Sequence, residues 1–226
     1  MLLGTGCLGE RSLDGEAVRE ALGLTGLDRA LLVVRPDAEP ARQLAGLPVA
    51  AVRAGWGELP TALAAARATR CTTLVLDPPP LMGLEAACRA LFDLGRRQPG
   101  LVLAVMTPAS GALADPATLA LLFEDLRGSV GPAGVRWWHL PSRALLDERG
   151  DVAWLDGVGA FLAGLLLDDV SAGRPGLPPG LGQVDFAALA PLTARSVTLA
   201  LDVEPVAEVA LLRFAVEGLA LAGLTG

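Results

Sequence analysis

Short apolar runs rich in Val and Leu alternate along the chain with longer amphipathic segments, which is the rhythm of βα units wrapped around a parallel sheet. The runs are LLGTGC (2–7), LLVVR (31–35), VAAVR (49–53), TLVLD (73–77), LVLAVM (101–106), VRWWHL (135–140), LAGLLLD (162–168) and VTLALD (197–202), eight in all. Each is short enough to be a strand, and β-branched or aliphatic side chains suit a pleated surface buried on both faces.

The intervening stretches carry helix start and stop signals. Ser12 opens SLDGEAVREALGLTG, with acids in its first turns and Gly at its end. Asp115 and Pro116 read as N-cap and first helical residue of DPATLALLFEDLRG. Further helices are expected over 59–70, 81–100, within 142–160, over 184–192 and over 205–224, and a short one over 39–46.

Alternation within the strands assigns their two faces. In the fourth, Leu74 and Leu76 share one face, leaving Thr73, Val75 and Asp77 for the other; in the fifth, Leu103 and Val105 face helices while Ala104 and Met106 face inward. The eighth sets Val197, Leu199, Leu201 and Val203 against Thr198, Ala200, Asp202 and Glu204. Asp77, Met106, His139, Asp168 and Asp202 all fall at C-terminal strand ends, the face that carries the active site in characterised barrels.

Eight βα units without a composition break predict a single (β/α)8 TIM barrel, one domain over 1–226, of the α/β class. A doubly wound open sheet is the alternative, and GTGCLGE, with Gly4, Gly6 and Gly9, spells a G-x-G-x-x-G-like phosphate loop. The second strand, however, ends in Arg35 and Pro36 instead of the acidic residue that would bind a ribose.

Composition then narrows the chemistry. The 226 residues are 52% hydrophobic with a net charge of −7, and the 18 basic residues, all Arg, are scattered, so a nucleic acid is not expected as a partner. Without any Lys, neither Schiff-base catalysis nor a P-loop can be built. Cys7, Cys71 and Cys88 form no paired framework and no zinc knuckle, which suits reduced thiols in a cytoplasm. No window is apolar over the ~18 residues a membrane span needs, and the start lacks a signal peptide's basic flank, so a soluble protein without a membrane partner is expected.

The segment LLLDDVSAGRPGLPPGLGQVDFAAL followed by SVTLALDVEP resembles the C-terminal third of the xylose isomerase-like TIM barrels, the sugar phosphate isomerase/epimerase superfamily. The matching residues are Asp168 or Asp169, Arg174, Pro179, Gly180, Gly182, Val184, Asp185 and Phe186, and WWHLPSRA is similar to the group's motif after strand six. The likeness covers roughly the last 90 residues.

That resemblance implies a divalent cation at the barrel mouth, held by carboxylates and imidazoles, which polarises sugar oxygens while a carboxylate moves a proton. The corresponding positions here read Met106, Leu140, Arg143 or Leu166, and Asp202. Only Asp202 can bind a hard cation, because Mg²⁺ and Mn²⁺ prefer oxygen and an Arg repels them. The expectation is therefore no metal cofactor, with Mn or Mg as the alternative.

The candidates for catalysis are Asp202, Asp168 and His139, and those for ligand binding are Asp77, Arg143, Arg174 and Glu204. Each has a plainer reading. Asp77 can cap the turn into Pro78; His139 can sit in an aromatic cluster beside Trp138; Asp168 and Asp169 can bind loop amides; Glu204 can be a rim charge. Arg35, Arg143 and Arg174 can pair with these acids or offer forked donors to a ligand anion.

Three functions remain open from sequence. The first is a degenerate isomerase/epimerase-like barrel that binds a small polar or sugar-like molecule, or a protein partner, at its C-terminal face. The second is a working isomerase or epimerase with a rebuilt carboxylate site. The third is an interaction or scaffold subunit whose mouth is plugged by its own side chains; the long apolar last helix either covers the barrel or leaves a stripe for another protein or a second copy.

Overall fold

A computed structural model describes residues 2–4, 15–25, 27–36, 44–130, 134–147, 149–195, 197–201 and 209–224. Eight parallel strands close into a barrel in the order β1 (Leu2–Gly4), β10 (Thr198–Leu201), β7 (Leu162–Leu167), β6 (Val135–His139), β5 (Val102–Met106), β4 (Thr73–Asp77), β3 (Val49–Gly55) and β2 (Arg29–Val34). The sheet has no open edge of the kind a doubly wound fold requires. Every apolar run read from the sequence supplies one barrel strand.

Helices pack outside: α1 (Gly15–Thr25), α2 (Leu59–Thr69), α3 (Leu84–Arg97), α4 (Pro116–Asp125), α5 (Pro141–Leu146), α6 (Gly150–Val158), α7 (Phe186–Leu189) and α8 (Val209–Leu221). Asp115 caps α4, its carboxylate accepting from the Thr118 backbone N–H at 2.9 Å, with Pro116 at the first helical position. The sixth helical segment divides into α5 and α6. Most of the short helix expected over 39–46 lies outside the described residues.

Two cores result from strand alternation. Leu74, Leu76, Leu103, Val105, Leu199 and Leu201 join the layer between sheet and helices, while Val75, Ala104, Met106, Trp138, Leu166 and Ala200 fill the barrel. The interior holds one large ring because its neighbours are small. Ala51, Ala104 and Ala200 share the interior cluster with Trp138, and a Cβ on Gly164 would lie 2.4 Å from the Trp138 indole.

After β7 the chain makes an antiparallel hairpin, β8 (Asp169–Ser171) with β9 (Arg174–Leu177). Its turn carries Ala172 at φ 49° and Gly173 at φ 76°, consecutive left-handed residues of the kind that tight hairpins need. The Pro- and Gly-containing stretch Arg174–Leu177 is thus regular structure. Among the described residues, no helix is long and apolar enough to cross a membrane.

Candidate functional site

Arg53 lies on the inward parity of β3, two residues after the buried Ala51, with Val33 of β2 and Val75 of β4 as its register neighbours. A guanidinium inside a barrel needs a counter-charge. Its stem carries it up to Asp77, the last residue of β4. Arg53 Nε donates to Asp77 Oδ2 at 2.8 Å and Nη2 donates to Oδ1 at 3.3 Å, a forked pair with Arg53 only 8% exposed.

A second guanidinium reaches the same carboxylate from α5. Pro141 starts that helix directly behind β6, so Arg143 falls in its first turn above the mouth. Arg143 Nη1 donates to Asp77 Oδ1 at 3.3 Å and to the Thr107 carbonyl at 2.7 Å. Asp77 is therefore the counter-ion of two arginines from different elements.

Together they line a cavity of about 340 Å³ at the C-terminal ends of the strands, which Arg35, Asp168 and Gly176 also line. Asp168 continues the inward parity of Leu166 and accepts from the Gly176 backbone N–H at 3.0 Å, which draws the hairpin over this side of the mouth. Leu140 borders the cavity, with Met106 and Leu166 among the barrel-filling side chains.

The neighbouring Asp169 has a different task. Its Oδ1 accepts from the N–H groups of Val170 (2.8 Å) and Val184 (2.9 Å), and its Oδ2 from those of Gly180 (3.0 Å) and Gly182 (2.8 Å). The glycine-rich stretch is wound around one buried carboxylate. Gly182 approaches so closely that a Cβ would meet Asp169 Oδ1 and the Val170 carbonyl at 2.4 Å, and Gly180 has φ 92°. Asp185 caps α7 by accepting from the Ala188 N–H.

Of the residues singled out from sequence, Asp77, Arg143 and Asp168 meet in one cavity. His139 does not join them. Since Trp138 points into the barrel, its neighbour points to the helices, where the His139 ring lies 4.7 Å from that of Trp137 and is fully buried. Arg174 is exposed on the hairpin and does not line the cavity. Asp202, Glu204 and Cys7 lie outside the described residues.

Arg53 is the residue that sequence reading missed. The available signal was a charge two positions after Ala51 on a strand whose faces had not been assigned.

The donor set bears on the divalent cation that the resemblance implies. Met106 and Leu166 are wholly buried apolar side chains, Leu140 nearly so, and Asp77 is engaged by two guanidinium groups. Among the described residues, no three His, Cys, Asp or Glu side chains come together. The described donors do not fit a hard cation that seeks several oxygen ligands.

Comparison with known proteins gives the same fold from another direction. No family model and no curated protein matches the sequence. Among solved structures, the chain is similar to a xylose isomerase-like TIM barrel/4-hydroxyphenylpyruvate dioxygenase fusion protein. The TM-score is 0.65 at 17% identity, over 96% of this chain and 41% of that one. The chain thus spans less than half of that protein. It is also similar to the probable 3-DHS dehydratase AsbF, involved in petrobactin synthesis, from Bacillus anthracis. There the TM-score is 0.70 at 9% identity, over 97% of this chain and 98% of that one. At these identities the likeness is one of fold, a (β/α)8 TIM barrel.

Proposed function

We propose that the chain is a degenerate barrel of the xylose isomerase-like group that works without the group's divalent cation and binds a small polar ligand at its C-terminal face. The observation that carries this reading is the make-up of the mouth. The positions that correspond to the group's ligands read Met106, Leu140, Arg143 or Leu166, and Asp202, of which only Asp202 suits a hard cation, while the described polar contacts belong to an Arg53–Asp77–Arg143 cluster that opens into a cavity. Such a cluster in a concave site suits ligand recognition.

Calorimetric titration with Mn²⁺, Mg²⁺, Co²⁺ and Zn²⁺ tests it. The expected result is no stoichiometric binding at micromolar protein. Tight binding of one ion per chain that disappears in Asp202→Ala would overturn the reading.

One observation favours a second reading, a working sugar isomerase or epimerase with a rebuilt carboxylate site, because Asp77 and Asp168 line the same cavity. In that reading Asp168 and Asp202 exchange the proton, with Mn or Mg as optional cofactor. Solvent deuterium entering a ketose, and ceasing to enter in Asp168→Asn, would establish it over the first.

A further inference from the structure

A second cavity, of about 300 Å³, lies on the face of the barrel opposite the mouth, where the C-terminal end of α2 meets the segments that lead into β4 and β5. Leu63, Ala66, Cys71 and Leu101 give it apolar walls, and the exposed Arg67 and Arg70 also line it. The Cys71 thiol donates to the Thr73 carbonyl at 3.4 Å, and burial pushes its pKa above the usual thiol value, so Cys71 is a wall and not a nucleophile. We propose that this cavity binds a small anion with an apolar body, the anionic head meeting Arg67 and Arg70 and the body lying on the apolar walls. A volume at the lower end of the range for ligand pockets, roughly 300–1,000 Å³, suits a single ring or a short acyl chain.

The charge around the cavity supports an anion. The chain carries a net charge of −7, yet residues 59–76 and 94–114 contain Arg67, Arg70, Arg96 and Arg97 and no Asp or Glu. The stretches 44–48, 70–72, 98–101 and 127–134, which lead into β3, β4, β5 and β6, contain none either. Of the acids on the adjoining α3 and α4, Glu85 is held by Arg89, Glu124 by Arg127, and Asp125 stands 3.9 Å from the Cys88 thiol; Asp93 is exposed on α3. Among the described residues, neither the Arg67 nor the Arg70 guanidinium has an ion pair or hydrogen bond. Two forked cations beside apolar walls attract an anion and orient it.

The placing of Arg70 is the more telling observation. Its backbone is left-handed, at φ 58°, in the turn that closes α2, where its N–H donates to the Arg67 carbonyl at 3.2 Å and that of Cys71 donates to the Ala66 carbonyl at 2.9 Å. Glycine is the common residue at that point of such a turn. Among the described residues, Ala172 is the one other non-glycine with a positive φ. Complementing the negative end of the helix accounts for an arginine in the last turn, as at Arg67. It does not account for an arginine at a position that glycine suits better, which the cavity beside it does.

Isothermal titration calorimetry of the full chain tests this with four probes. Phenyl phosphate and octanoate carry both a body and an anionic head, inorganic phosphate only the head, and benzyl alcohol only the body. The expected result is one phenyl phosphate or octanoate per chain, the tighter of the two identifying the head, with the other two probes roughly tenfold weaker or silent. Arg67→Gln and Arg70→Gly each weaken binding roughly fivefold or more. Arg70→Gly melts no lower than the wild type, because glycine suits its backbone, so the loss is not one of folding. Arg89→Gln makes a like change of charge on α3, away from the cavity, without effect. The bound anion also slows alkylation of Cys71 by iodoacetamide and leaves that of Cys88 unchanged, read by mass spectrometry of the peptides.

Benzyl alcohol binding as tightly as phenyl phosphate overturns the anionic head, and inorganic phosphate binding as tightly overturns the apolar body. Silence of both amphipathic anions at concentrations above about 1 mM overturns the site altogether. So does binding that Arg89→Gln weakens as much as Arg70→Gly, or that leaves Cys71 as open to alkylation as before.

Discussion

His139 Nε2 stands 2.6 Å from Asp151 Oδ1, joining the last residue of β6 to the first turn of α6 through the protein interior. On its other side, Nδ1 lies 3.3 Å from the Thr107 hydroxyl, which also accepts from Trp137 Nε1 at 3.2 Å and from the Leu140 N–H at 3.1 Å. Asp151, as a carboxylate, accepts from the Nε2–H, while the single Thr107 hydroxyl proton has two acceptors in reach, His139 Nδ1 and the Trp138 carbonyl, each at 3.3 Å.

This makes the pair a brace between sheet and helix. Asp151→Ala leaves the buried N–H without its acceptor and should cost about 1–3 kcal/mol, read as a lower denaturant midpoint. In a double-mutant cycle, the His139→Phe, Asp151→Ala variant loses less than the two single losses added together. A loss in Asp151→Ala no larger than in the exposed Asp156→Ala would contradict the brace.

Gly164 on β7 makes room for Trp138 on β6. A methyl group there would lie 2.4 Å from the indole, and the ring, buried in the barrel beside Met106, has nowhere to retreat. Gly164→Ala should destabilise by about 1–3 kcal/mol through overpacking and change the near-ultraviolet circular dichroism that reports Trp packing. An unchanged spectrum together with unchanged stability would show that the interior yields more easily than the structure implies.

The barrel was legible because each strand announces itself as an apolar run, and alternation sorted Ala104 and Met106 from Leu103 and Val105 as the structure does. The mouth was legible only in part. Asp77, Arg143 and Asp168 stand at strand ends or just beyond them, whereas Arg53 lies at the close of a run that continues two residues further to Gly55, hiding its inward parity. His139 had a legible orientation, opposite to Trp138, but its partner Asp151 comes from a helix whose placement no local spacing encodes. The hairpin was hidden because Arg174 to Leu177 contains Pro and Gly and shows no alternation. What pairs it is a turn of left-handed residues, a tertiary outcome and not a periodic one.

Four backbone N–H groups converge on Asp169, which is 1% exposed. Asp169→Asn keeps the shape but turns an NH₂ toward two N–H donors, so two bonds become repulsive contacts. A loss of about 3 kcal/mol or more is expected. Amide hydrogen exchange at Gly180, Gly182 and Val184 should rise far more than exchange in the strands. Asp185→Asn, which replaces one good helix cap with another, should leave that exchange unchanged; equal effects at the two sites would refute the organising role of Asp169.

The cap of α4 gives a pH dependence with a definite sign. The Thr118 backbone N–H, and then its hydroxyl, hold the Asp115 carboxyl below the usual carboxylate range, with Arg149 adding to the effect. A group whose folded pKa is depressed stabilises the fold fully above its unfolded value and loses that contribution as pH falls through the folded one. Asp115→Ala should therefore cost about 1 kcal/mol at neutral pH, the usual worth of an N-cap. The gap between variant and wild type should narrow below pH ~4, where the carboxylate takes up its proton. Urea titrations at several pH values check this: a gap that stays constant down to strongly acid conditions would mean that Asp115 acts through packing, without its charge.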